Sequence, residues 1–142
     1  MSKVKRHVLT LDHTVDFEMI GICSHHSDYR LVWGLNQLLH LHLAKADDFF
    51  VIHSKKGLVQ SQHSYYFWSD EENHMEYYLI KNKNEGKFLI PEKNQIDYFL
   101  FLRDNVFYEL DEILEKVKKV TSVMAAYIID TDETPSAEQI LF

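Results

Sequence analysis

The stretch from Ser64 to Lys81 constrains the fold most. Ser64–Ser69 and His74–Lys81 read as two strands of a hairpin, closed by the polar loop Asp70-Glu71-Glu72-Asn73. With that loop, Tyr65 opposes Tyr78 and Tyr66 opposes Tyr77. Successive side chains of a strand point to opposite faces. One face therefore carries Tyr66, Trp68, Met75, Tyr77 and Leu79, and the other Tyr65, Phe67, Glu76, Tyr78 and Ile80. Cross-strand pairs of this kind stabilise a hairpin by about 0.2–1 kcal/mol each. A sheet with one solvated face shows cleaner alternation. Either both faces of this hairpin are covered, or one is a contact surface.

Other strands are read at His7–Leu11, Phe17–Cys23, Phe49–His53, Lys87–Ile90, Asp97–Arg103 and Val123–Ile129, the last buried on both faces. Asp12-His13-Thr14 turns between the first two. Ser54-Lys55-Lys56-Gly57 turns the chain after the third. Pro91 lacks an amide donor, so it stops the strand before it or lies on an edge. A helix is expected from about Tyr29 to Leu43, capped by Ser27 or Asp28. Leu31, Leu35, Leu38, Leu39 and His42 form its buried stripe, and Tyr29, Trp33, Asn36 and His40 a second stripe beside it. A second helix, capped by Asp104 or Asn105, carries the stripe Phe107, Leu110, Ile113, Leu114 and Val117 and ends at Thr121-Ser122. Its acidic residues precede its basic ones, which suits the helix dipole. The expected fold is α+β: a two-layer sandwich with a largely antiparallel sheet of about six to seven strands and two helices packed on one face. Residues 1–129 form a single domain in this reading. Residues 130–142 form an acidic tail with the apolar end Ile140-Leu141-Phe142.

Composition removes several function classes. The 142 residues carry a net charge of −7, which repels phosphate backbones and argues against a nucleic-acid binder. The four glycines are too scattered for a phosphate-binding loop. The lone Cys23 makes no internal disulfide and reads as a small core residue rather than a nucleophile. No apolar run is long enough for a signal peptide or a membrane span, so a cytoplasmic location and no membrane partner are expected. The histidines do not share metal-ligand spacing. His25 and His26 lie before the first helix, His40 and His42 are two apart on a helix and so point about 200° apart, and His63 and His74 are out of register across the hairpin. No metal, cofactor or catalytic residue is expected.

The segment Ile90-Pro91-Glu92-Lys93-Asn94-Gln95-Ile96-Asp97-Tyr98 resembles the signature of the bacterial family named for its IPExxxVDY motif, with Ile96 in the place of Val. Tyr29-Arg30-Leu31 leading into Asn36 is similar to a second shared segment. The resemblance implies a bacterial cytoplasmic protein without an assigned activity. Read physically, the motif is a shaped turn. Ile90 packs inward, Pro91 fixes the backbone, and Glu92 accepts from amides of the following turn. Ile96 and Tyr98 then point to one side of the resumed strand. Asp97 points to the other, toward an amide or a cation such as Arg103 or Arg30. The functional alternative makes Glu92 and Asp97 a carboxylate pair for acid–base or metal work.

Two functions follow as expectations. The first is a non-enzymatic interaction or regulatory protein, a homodimer with an unidentified protein partner. Its contact residues would be Tyr29, Trp33, Asn36 and His40 on the helix and Tyr65, Phe67 and Tyr78 on the hairpin. The second is a small-molecule binder or enzyme with a site near the motif turn, which requires a concave pocket holding Glu92, Asp97 and a histidine.

Overall fold

A computed structural model describes residues 15–142. In chain order the elements are β1 (Phe17–Cys23), α1 (Asp28–Leu39), β2 (Ala44–Lys45), β3 (Phe50–His53), β4 (Val59–His63), β5 (Tyr65–Asp70), β6 (Met75–Lys81), β7 (Lys83–Asn84), β8 (Lys87–Phe88), β9 (Tyr98–Arg103), α2 (Leu110–Lys118) and β10 (Ala125–Ile129). Short 3-10 turns occupy Pro91–Lys93, Thr131–Glu133 and Pro135–Gln139. The strand read at His7–Leu11 and the turn after it lie outside the described residues. No helix among the described residues is long and apolar enough to cross a membrane.

Among the described residues six strands form one antiparallel sheet in the order β10-β1-β9-β6-β5-β2. The sequence of β9, Tyr98-Phe99-Leu100-Phe101-Leu102, is apolar on both sides because the strand is central and covered on both faces. Leu100 and Leu102 meet the helix layer, where Leu31 and Leu35 of α1 and Ile113 and Val117 of α2 pack on Ile20, Ile22 and Leu79. Phe99 and Phe101 face the opposite layer with Met19 and Ile80. α1 and α2 are both on one face, as their single apolar stripes require. α1 comes close to the end of α2 at Gly34, where a Cβ atom would stand 2.5 Å from Val120 Cγ1.

The opposite face is covered by the chain itself. The β3–β4 hairpin contributes Phe50 and Ile52, the motif segment Ile90 and Ile96 with Leu89 just before it, and the segment after β10 contributes Ala137 and Ile140. Residues 130–142 therefore belong to the core rather than forming a tail beside a 1–129 domain. Asp130 caps their first turn by accepting from the Asp132 amide, and Ala137 and Ile140 are fully buried. The Phe142 ring lies 4.2 Å from that of Tyr78, 5.2 Å from Phe101 and 5.3 Å from Phe50.

Several boundaries differ from the sequence reading for local reasons. In the hairpin Tyr65 pairs with Ile80 and Phe67 with Tyr78, a slip of two residues. Residues 71–74 make the turn instead, with His74 at φ 56°. A slip of two preserves every side chain's face, so the two aromatic faces stand as read. α1 stops at Leu39 because His40 takes a left-handed conformation and its amide bonds back to the Asn36 carbonyl. The Asn36 side chain then clamps Leu43 through both its amide and its carbonyl. Leu38, still within α1, and His42, beyond its end, are exposed rather than part of the buried stripe. Ser27 makes no side-chain cap on α1. α2 begins only at Leu110, since Asn105 accepts from the Phe107 and Tyr108 amides and holds the preceding residues in a turn, leaving Phe107 exposed. The strand β4 was not anticipated. Among the described residues β10 is an edge strand, and Tyr127 and Ile128 are exposed rather than buried on both faces.

Candidate functional site

The motif segment is assembled around a residue outside it. Asn82, fully buried at the end of β6, donates through Nδ2 to the Lys93 carbonyl at 3.1 Å and the Ile96 carbonyl at 2.8 Å. Its Oδ1 accepts from the Ile90 amide at 2.9 Å. Its backbone amide donates to the Asp97 carbonyl, and its carbonyl accepts from the Leu89 amide. One side chain thus closes both ends of the turn that begins at Pro91. Pro91 starts a 3-10 turn instead of a strand edge, and its φ suits that first helical position.

The two carboxylates do not converge on a common centre. Glu92 reaches across the fold to Ser136, accepting from its amide at 2.8 Å and its hydroxyl at 2.7 Å. It therefore serves a turn 44 residues away as well as its own. Partial burial pushes the Glu92 carboxyl up, but the hydroxyl and amide of Ser136, joined by Glu92's own amide and the Lys93 charge, outweigh this and hold it below its ordinary value. Asp97 accepts from the Ser24 amide at 2.9 Å, the amide option of the sequence reading. Arg103 pairs instead with Glu76 at 2.7 Å and Asp16 at 3.2 Å. Ile96 and Tyr98 lie on opposite faces of the sheet, because the strand resumes only at Tyr98 and Ile96 is still in the turn. Cys23 sits beside this segment, its Sγ 3.6 Å from the Gln95 carbonyl. Burial, reinforced by the Asp97 charge, pushes its thiol up and away from thiolate chemistry.

The expected contact residues separate into different roles. Tyr29 and Trp33 stand one turn apart on the exposed side of α1, each 68% accessible. Asn36 and His40 are engaged in terminating that helix. Tyr65, Phe67 and Tyr78 are half-buried rather than open. Tyr65 packs edge-on to Phe50 and donates to Asp48 at 2.9 Å, Tyr78 lies under Phe142, and Phe67 packs on Tyr78.

The histidines are also redistributed. His63 is buried on β4 with Nε2 2.9 Å from Ser61 Oγ, and burial lowers its pKa against the opposing Lys81 carbonyl. His40 and His42 do not diverge on a helix, since the helix has ended. Both border a cleft of about 630 Å³ between the α1 exit, the β5–β6 turn and α2. This cleft contains neither Glu92 nor Asp97. The motif adjoins the Lys81–Tyr98 end of the paired strands β6 and β9, whereas the cleft lies toward the Met75 end of β6. Sequence spacing gave no warning of Asn82, and the only local sign of the cleft was the shared face of Trp68 and Tyr77. No protein-family model matches the chain, and no curated protein matches it significantly.

Proposed function

We propose that the chain belongs to the family its Ile90–Tyr98 segment resembles and works as a non-enzymatic cytoplasmic interaction protein that self-associates through the outer edge of β10. The observation that carries this reading is the chemistry of that edge. Ala125-Ala126-Tyr127-Ile128-Ile129 contains no charge and no proline. Among the described residues no strand pairs with its outer side. Natural sheets blunt such edges with lysine, proline or bulges, because an unblunted edge templates pairing with another chain. Met124, Tyr127 and Ile128 add exposed apolar surface there, at 62%, 52% and 39% accessibility. Antiparallel pairing of two β10 strands about a twofold axis satisfies both edges at once, and closed twofold pairing is the commonest oligomeric solution. The net charge of −7 opposes association, but salt screens it within about 8 Å and β10 itself brings no like charges face to face.

The motif supports the reading from the other side. Its carboxylates are committed to Ser136 and Ser24, so they serve the architecture rather than a reacting centre. Light scattering on the purified chain at micromolar concentration tests the proposal. A dimer is expected, converted to a monomer with an unchanged circular dichroism spectrum by Tyr127→Lys. A strict monomer at high concentration, or a dimer indifferent to Tyr127→Lys, refutes it.

A further inference from the structure

The cleft has aromatic walls and an acidic rim. Trp68 and Tyr77 stack nearly parallel, with centroids 5.5 Å apart and 16° between planes. His42 meets the Trp68 ring edge-on at 5.1 Å. Leu39 and Ile113 supply aliphatic surface. Burial, then the neighbouring Tyr108 and Asp70, pushes Tyr77 up to about 12, so it presents a neutral ring and hydroxyl. Along the rim run Asp70, Glu71 and Glu72, with Lys116 the one Lys or Arg lining the cleft among the described residues.

The acidic turn is held in place before any ligand arrives. Asp70 is nearly buried and accepts from the Asn73 amide at 3.3 Å and from Asn73 Nδ2 at 2.9 Å. Asn73 Nδ2 also lies 3.3 Å from Tyr108 Oη, which ties the hairpin turn to the segment leading into α2. Glu71 and Glu72 remain exposed at the mouth.

We propose that this cleft binds a small organic cation, an ammonium or guanidinium group carried on a flat apolar body. The volume lies within the range that accepts such molecules, roughly 300–1,000 Å³. Trp68, half-buried and backed by the buried Tyr77, takes the apolar body, and its aromatic face attracts a cation that is also neutralised by carboxylates. An anion would meet three carboxylates against one ammonium. A bare metal ion fits less well, because among the described residues no three His, Cys, Asp or Glu side chains converge to hold one. The site is independent of the association reading. It lies against β5 and β6, away from the β10 edge of the sheet.

Trp33 and Trp68 are the chain's two tryptophans, so a Trp33→Phe variant leaves Trp68 as the sole reporter in the cleft. Titration of this full-length variant with phenethylamine should change the fluorescence saturably, with a Kd of about 0.1–1 mM. The isosteric alcohol 2-phenylethanol should bind at least about tenfold more weakly, and 3-phenylpropionate should give no saturable change. Adding Glu71→Gln and Glu72→Gln, both on the exposed turn, should weaken phenethylamine about five- to tenfold and remove most of its salt dependence, with Tm unchanged. The absence of saturation, equal binding of the amine and the alcohol, or unchanged affinity in the double variant would each overturn the proposal.

Discussion

Replacing Asn82 by alanine should destabilise the protein about as much as truncating a buried side chain of the signature segment itself. The side chain makes three hydrogen bonds, two of them donated and one accepted. Removing it strands the buried Ile90 amide and Ile96 carbonyl, while the partly buried Lys93 carbonyl can turn to water. An unsatisfied buried group costs about 1–3 kcal/mol. Two such groups give about 2–6 kcal/mol, a large share of the roughly 5–15 kcal/mol that holds a domain folded. At about 3 kcal/mol, a chain of this length should lose about 10 °C in Tm. Urea unfolding should show a lower midpoint at constant slope, the sign of a stability change without a change in compactness. Asn84→Ala is the matched control. It removes a single exposed bond to the Gln62 carbonyl and should stay within about 0.5 kcal/mol. Asn82→Asp keeps the acceptor but turns a carboxylate toward two carbonyls, so it should be at least as damaging at neutral pH. An Asn82→Ala variant as stable as Asn84→Ala would refute the assignment of Asn82 as the closure of the motif turn.

Phe142→Ala removes a half-buried ring stacked over Tyr78 and facing the Arg103 guanidinium at 5.4 Å, and should cost about 1.5–3 kcal/mol by urea unfolding. Gly34→Ala should destabilise by about 1–3 kcal/mol through overpacking on Val120, and the double variant with Val120→Ala should recover part of the loss. His63 has a folded pKa below its ordinary 6.5, so its contribution is complete above about pH 6.5 and falls with pH until the folded value is passed; His63→Gln should flatten that limb in Tm measured against pH. Glu92 has a folded pKa below 4.5, so its contribution is present above that value and lost as pH falls through the folded one. Glu92→Gln should remove this acid limb, with a loss at neutral pH held to about 1 kcal/mol by the exposure of the carboxylate.

Features set by periodicity were legible in the sequence. The two aromatic faces of the β5–β6 hairpin survive a misjudged turn, because a two-residue slip returns each side chain to its own face. The helix layer followed from the single stripes Leu31–Leu35 and Ile113–Val117. Helix ends were not legible, because they depend on which asparagine meets which backbone group. Asn36 looked like a member of an exposed stripe until Leu43 came within its reach, and Asn105 looked like a helix cap although it closes the turn before the helix. The burial of β10 was misread for a different reason. Val123–Ile129 is as apolar as a central strand, and only its place in the sheet order reveals an edge.

The signature segment marks where sequence reasoning reaches its limit. Pro91 and Ile90 announce a shaped turn, but the groups that complete it come from Asn82, Ser24 and Ser136. A lone asparagine in Lys81-Asn82-Lys83-Asn84 has no periodic signal, and Ser136 lies in a stretch whose acidity suggests a solvated tail. The segment is therefore best understood as the lid on the second face of the sheet, with Ile90 and Ile96, and Leu89 just before them, supplying burial and Glu92 fastening the neighbouring turn. That role bears on how substitutions there are read. An Asp97→Ala variant should lose about 1–3 kcal/mol of stability, since Asp97 holds the Ser24 amide between β1 and α1. Such a variant speaks to function only when its folded fraction is measured alongside. Substitutions at Tyr127 or at Glu71 and Glu72 touch exposed surface instead, and there a lost interaction with an unchanged Tm separates the site from the scaffold.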